Sequence, residues 1–185
     1  MTGRVETKAD ADVRACIDGH RSFALVAGAG SGKTTSLIDA LARVREREGM
    51  QLRQNGQRVA CITFTKRAVS VIKSRLGFDE LYLVSTLHSF LWDQISRFHD
   101  DIREALREGR IPALIQKERD KDNGGNSRAA TEARAKALIY EHDLAALDAV
   151  SSFRYDDAKW RDYPAGRLGH DDIIEIASYL FARNA

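Results

Sequence analysis

Nothing in this chain constrains its folding more than Ala27-Gly28-Ala29-Gly30-Ser31-Gly32-Lys33-Thr34. The segment follows a short apolar run, Phe23–Ala27, and precedes Thr34–Glu48, where Leu37, Ile38, Leu41 and Val44 recur at helical spacing. A short apolar run bounded by glycines reads as a buried strand, so the glycines must turn the chain from strand to helix. They also let the backbone wrap closely with its N–H groups pointing inward, and the helix start adds partial positive charge. An anion suits such a turn, and strand–loop–helix is the context a phosphate-binding P-loop requires. There Lys33 reaches the β- and γ-phosphates of a nucleotide, and the Thr34 hydroxyl is placed to bind Mg²⁺. The strict pattern begins with Gly where this chain has Ala27, a small residue in either case. The expected ATP-binding residues are therefore Ala27, Gly28, Ala29, Gly30, Ser31, Gly32, Lys33, Thr34 and Thr35, with Lys33 and Thr34 catalytic and Thr34 the metal ligand. The competing reading is a glycine-rich turn that holds no ligand.

Downstream, strands and helices alternate. Gly49 is expected to end the first helix, and Asn55-Gly56 marks a turn. Arg58–Phe64 reads as a strand. Lys66–Leu76 reads as a helix with Ala68, Val69, Ile72 and Leu76 on one face and Gly77 at its end. A third strand, Leu81–Ser85, leads into a helix from about Leu87 to Phe98. This alternation predicts an α/β fold with a parallel sheet and helices on both faces. From Asp100 to about Tyr163 only helical stretches are expected, the strongest being the alanine-rich Ala129–Val150. Lys121–Ser127 and Tyr163–Gly169 read as loops. Asp171 or Asp172 caps a last helix, about Asp172–Arg183, with Ile173, Ile174, Ile176, Ala177 and Leu180 as its apolar stripe. The expected division is an α/β core of residues 1–98 and 165–185, interrupted by a helical insertion at 99–164.

With 185 residues the chain is long enough for one cored domain, or one plus a small insertion. Hydrophobic residues at 43% and charged residues at 30% are those of a soluble globular protein. The net charge of +2 is too small to argue for nucleic acid by itself. Cys16 and Cys61 lack a CxxC spacing and are expected as buried free thiols. No stretch approaches the roughly 18 apolar residues a membrane helix needs, and the N-terminus has no apolar run. A cytoplasmic protein with no membrane partner is expected.

A P-loop alone does not choose among kinases, GTPases, transport ATPases and helicases. Two later segments are more selective. Ile62-Thr63-Phe64-Thr65-Lys66-Arg67-Ala68 lies where the second strand ends, the edge at which ligands gather in an open parallel sheet. An exposed Phe64 could stack on a nucleic-acid base while the threonines and cations hold phosphates. Alternatively, Phe64 is buried and Lys66-Arg67 is a solvated helix start. Ser85-Thr86-Leu87-His88-Ser89-Phe90 repeats the situation at the third strand, with Thr86, His88 and Ser89 suited to phosphate contacts. Taken alone, His88 is equally readable as a structural or capping residue. Trp92 reads as core.

AGAGSGKTT, ITFTKRA and STLHSF, in this order over Ser22–Trp92, resemble the first motifs of the UvrD/Rep-like superfamily 1 helicases. His170-Asp171-Asp172-Ile173-Ile174 is similar to the acidic-apolar helix that precedes the Walker B strand in that family. The resemblance implies a RecA-like P-loop NTPase core (1A) with a helical 1B insertion, ATP and Mg²⁺ as cofactors, and ATP-driven translocation on single-stranded DNA. It implies DNA contacts at Phe64, Thr65, Lys66, Thr86 and His88. The chain departs from the family at four points. Lys66 stands where Asn is usual, Thr35 where Arg often follows the loop, and Asp12 near the place of the adenine-reading Gln. The fourth departure is that no Asp-Glu-x-Gln-Asp segment occurs.

Without those carboxylates nothing assists Mg²⁺ or orients attacking water. The expectation is the N-terminal ATP-binding part of a helicase, ending before Walker B. It would be inactive by itself and would act with the remainder of the helicase in the same or another chain. Two other classes compete: a nucleotide-binding switch for a protein partner, without helicase activity, and a small-molecule P-loop kinase. The kinase is disfavoured because Arg154, Arg161 and Arg167 are scattered rather than gathered in a lid.

Overall fold

The first helix, α1 (Lys8–Asp18), begins at a reciprocal cap. The Asp10 N–H donates to the Thr7 hydroxyl (3.3 Å) and the Thr7 N–H donates to the Asp10 carboxylate (3.1 Å), so two orphan donors are satisfied at once. The computed structural model describes residues 7–26, 28, 32–122, 124–157 and 160–183. They form two compact units, Met1–Leu87 and His88–Ala185.

In the first unit α1 packs on α2 (Lys33–Gln54). Arg43 forks onto the Asp18 carboxylate (3.0 and 3.1 Å), and Arg47 adds a third contact (2.8 Å). The Arg43 hydrogen bond is the largest influence holding the Asp18 carboxyl below its ordinary range. β1 (Val59–Thr63), α3 (Lys66–Arg75) and β2 (Tyr82–Thr86) then form a βαβ unit with parallel strands, paired from Val59–Tyr82 through Cys61–Val84 to Thr63–Thr86. Its buried residues Cys61, Tyr82 and Val84 pack with Leu41 of α2 and Ile72 and Leu76, at the end of α3. Tyr82 ties strand to helix by donating its hydroxyl to the Leu41 carbonyl (2.8 Å).

Three expectations are corrected in this unit. Residues 23–26 form no strand among the described residues, and Val26 is 94% exposed; Ala27 lies outside them. A strand exists only through a ladder to a neighbour, and here β1 and β2 pair with each other alone. The helices expected on both faces are found on one, since Ala60 and Ile62 on the opposite face of β1 are exposed. Gly49 does not end α2, which continues to an Asn55 C-cap. Gly49 is a buried mid-helix position, where a Cβ would meet the Arg45 and Arg53 side chains of the same helix at 3.3 Å and Leu81 at 3.4 Å. Gly56 and Gly77, both at positive φ, follow the ends of α2 and α3.

The second unit is almost entirely helical. α4 (Leu87–Ile95) leads into a continuous run: α5 (His99–Ala105), a π-helical turn (Leu106–Arg110) and α6 (Ile111–Arg119). α7 (Arg128–Ala146), capped by the Ser127 hydroxyl, packs along α6, and a 3₁₀ turn (Leu147–Ala149) follows it. The pairs β3 (Arg154–Tyr155) and β4 (Arg167–Leu168) form a second parallel sheet only two residues deep, inside a stretch expected to lack strands. α8 (His170–Arg183) packs on α5 and the π turn. Ile102, Leu106, Ile111, Leu147, Tyr163, Leu168 and Ile173 are completely buried in this core. Trp92 packs against it, as expected.

Candidate functional site

Gly32 adopts φ 85°, a left-handed conformation that side-chain-bearing residues avoid, and so turns the chain into α2. The carbonyl of Gly32 accepts from the Thr35 N–H (2.8 Å) and the Ser36 N–H (3.1 Å), closing the first turn. No side chain caps this N-terminus. A helix of 22 residues therefore presents its positive end uncovered beside Lys33 and Thr34, both exposed. The Lys33 ammonium turns back to donate to the Gly28 carbonyl. Across α2, the Ser36 hydroxyl donates to Asp10 (2.9 Å), which fixes the first turn of α1 against the first turn of α2. Ala27, Ala29, Gly30 and Ser31 of the expected set lie outside the described residues.

The other wall comes from the carboxyl end of β1. A cavity of about 400 Å³ is lined by Lys33, Thr34 and Leu37 on α2, by Thr63 and Thr65, and by Arg67, Ala68, Val71 and Ile72 on α3. Two cations and three hydroxyls line it, and among the described lining residues there is no carboxylate. The loop residues and the β1-end residues thus meet within one unit. Thr65 also caps α3, its hydroxyl accepting from the Ala68 N–H (3.1 Å). Phe64 is 92% exposed and Lys66 is exposed beside it, so the buried alternative for Phe64 is excluded. Thr86 ends β2 directly opposite Thr63, which sets both strand ends on the same edge.

His88 belongs to the second unit. Its ring stacks on His170 (centroids 3.2 Å apart), and Tyr155 shares a hydrogen bond with His170 Nδ1 (2.8 Å). Burial, followed by the neighbouring His170, lowers the His88 pKa from its ordinary value, and burial pushes the Tyr155 hydroxyl up to about 12. The His88 Nε2 atom is buried without a hydrogen-bond partner among the described residues.

Two features escaped the sequence reading. Arg67 was read either as one of the cations holding nucleic-acid phosphates or as part of a solvated helix start, and its place in the cavity beside Lys33 and Thr34 was not foreseen. Asp172, one of the two residues expected to cap the last helix, is also fully buried, which was not foreseen. It accepts from the Gly169 N–H (2.8 Å), Arg110 Nε (2.8 Å) and the Tyr163 hydroxyl (2.9 Å), with Arg161 at 3.5 Å. Its sequence signal was the place three residues after Gly169, where a carboxylate closes a helix start. Burial works against the charge of Arg110, but the Asp172 carboxylate prevails and its pKa is raised. Among the described residues no group of three or more His, Cys, Asp or Glu side chains is arranged to hold a metal, and no helix is long and apolar enough to cross a membrane.

A helix start after a left-handed glycine, joined to a hydroxyl- and cation-lined strand end, has the chemistry to receive an anion such as a phosphate group. The chain belongs to the UvrD/REP helicase N-terminal domain family, whose family model it matches over residues 9–161. Helicases of this family use ATP and Mg²⁺. Gabija protein GajB of Bacillus cereus (strain HuB5-5) is similar to it, 29% identical over 162 residues that cover 80% of this chain and 23% of GajB. The chain thus spans about a quarter of the length of that relative. No solved structure matches the chain.

Proposed function

We propose that this chain is the N-terminal ATP-binding portion of a UvrD-like superfamily 1 ATP-dependent DNA helicase. The observation that carries the reading is the shared cavity: Lys33 and Thr34 meet the end of β1 across a space with cations and hydroxyls and no acid. Residues 27–35 hold the triphosphate of ATP, Lys33 neutralises its charge and the Thr34 hydroxyl takes Mg²⁺. ATP hydrolysis in the assembled helicase supplies the energy of translocation, and this chain's own residues bind and orient the phosphates.

Single-stranded DNA runs along the strand-end edge. Phe64 supplies a stacking face, and Thr65, Lys66, Thr86 and His88 supply polar contacts to the backbone. The proposed division keeps residues 1–98 and 165–185 as the 1A core and 99–164 as the 1B-like insertion. The remainder of the helicase, in the same or another chain, supplies the acidic groups that position attacking water, and the whole works in the cytoplasm.

Binding of a fluorescent ATP analogue and of a labelled single-stranded oligonucleotide tests the reading. Lys33→Ala abolishes the first and spares the second. Phe64→Ala weakens the second by about 1–3 kcal/mol, the worth of one stacked base, and spares the first. The 185-residue chain alone shows no efficient ATP turnover and no duplex unwinding. Nucleotide binding with no affinity for single strands would favour a switch module instead, and robust turnover by the chain alone would refute the division of labour.

A further inference from the structure

Arg67 lines the same cavity as Lys33 and Thr34 but comes from the opposite wall, in the first turn of α3. Arg43 and Arg47 in this unit are paired with Asp18, and Arg45 and Arg53 with Asp79. Arg67 is exposed and has no ion-pair or hydrogen-bond partner among the described residues. Its place is electrostatically adverse, because cations at a helix N-terminus oppose the helix dipole. No acidic residue in that first turn offsets it. Neither the helix nor an ion pair accounts for a cation here, whereas an anion in the cavity does.

We propose that Arg67 is a second cationic anchor for the bound nucleotide and holds its terminal phosphate. The inference rests on reading Lys33–Thr34 as the nucleotide site. The loop backbone and the α2 N-terminus enclose the inner phosphates, and Lys33 reaches from the inner toward the outer ones. A group on the far wall is left to meet the outward end of the chain. A guanidinium suits that end because its fork binds two phosphate oxygens at once, with a geometry an ammonium does not offer. Leu37, Val71 and Ile72 complete the lining of the cavity between the two cations. Arg67 would thereby make the site distinguish ATP from ADP.

Affinities of fluorescent ATP and ADP analogues in the presence of Mg²⁺ test this on the wild-type chain, Lys33→Ala, Arg67→Ala and Arg67→Lys. Arg67→Ala is expected to weaken ATP on the order of tenfold, the worth of one charge-assisted hydrogen bond, with ADP affinity held. Arg67→Lys should recover part of the loss, keeping the charge without the fork. Equal losses for ATP and ADP, or no loss for either, would overturn the assignment; loss of both analogues by Lys33→Ala would still leave the loop reading standing. If the wild-type chain bound neither analogue, the underlying reading would fall instead.

Discussion

Replacing Asp172 by Ala removes one carboxylate and orphans several groups at once. Arg110, whose side chain is only 13% exposed, loses its one anionic partner at 2.8 Å. The Tyr163 hydroxyl, in a residue with no exposed surface, loses its acceptor, and the Gly169 N–H at the start of α8 loses its cap. Stranding one member of a buried ion pair costs about 3–5 kcal/mol, and a stranded hydroxyl adds about 1–3 kcal/mol when the effects do not overlap. A loss of about 4 kcal/mol is the expectation, a large share of the roughly 5–15 kcal/mol that a domain holds in reserve. It corresponds to a fall in Tm of roughly 15–30 °C. Both tryptophans, Trp92 and Trp160, lie in the unit His88–Ala185, so intrinsic tryptophan fluorescence during urea unfolding reports that unit selectively. The double variant Asp172→Leu with Arg110→Met should recover much of the loss, because a well-packed apolar pair replaces a buried ionic one at little cost. The reasoning is refuted if the single variant loses less than about 1 kcal/mol, or if the double variant is no more stable than the single.

Gly32→Ala places a Cβ at φ 85°, which costs about 1–2 kcal/mol and displaces the first turn of α2. Weaker ATP-analogue binding together with a lower urea midpoint is expected, and unchanged binding would count against that turn as the phosphate site. The His88 pKa is lowered in the folded chain, so below about 6.5 the unfolded chain binds more protons there. The contribution of neutral His88 is therefore full above pH 6.5 and is lost as pH falls below it toward the folded pKa. Tryptophan-monitored unfolding should show stability declining below that pH, and His88→Gln should flatten the decline; an unaltered slope would refute the assignment.

Local chemistry was readable where it decided the outcome locally. Gly77 ends α3, Asn55-Gly56 ends α2, and β1 and β2 fall within a residue or two of their expected bounds, because each depends on turn residues or on alternation inside a few positions. The change from alternating strands and helices to helices after Asp100 was equally plain. Phe23–Ala27 was misread because an apolar run states only an appetite for burial; whether a partner strand is there to satisfy it lies elsewhere in the chain. Gly49 was misread because a glycine marks a helix end only where the chain also turns, and here α2 runs on past it to Gln54 with the glycine buried. Nothing near Asp172 announces Arg110, 62 positions earlier. The loop half of the proposed site was legible as a motif, whereas the role proposed for Arg67 needed the cavity.

The π turn at Leu106–Arg110 acts as a phase setter. The helix before it packs on α8 and the helix after it packs on α7, and the wider turn fixes the angle between those two contact faces. Deleting one residue there would let the run regularise into an α-helix and rotate one half by about 100° against the other. Arg110 would swing from Asp172, and the two faces could no longer both be satisfied. At this position the number of residues matters as much as their identity, so the segment should accept substitutions more readily than a change in length.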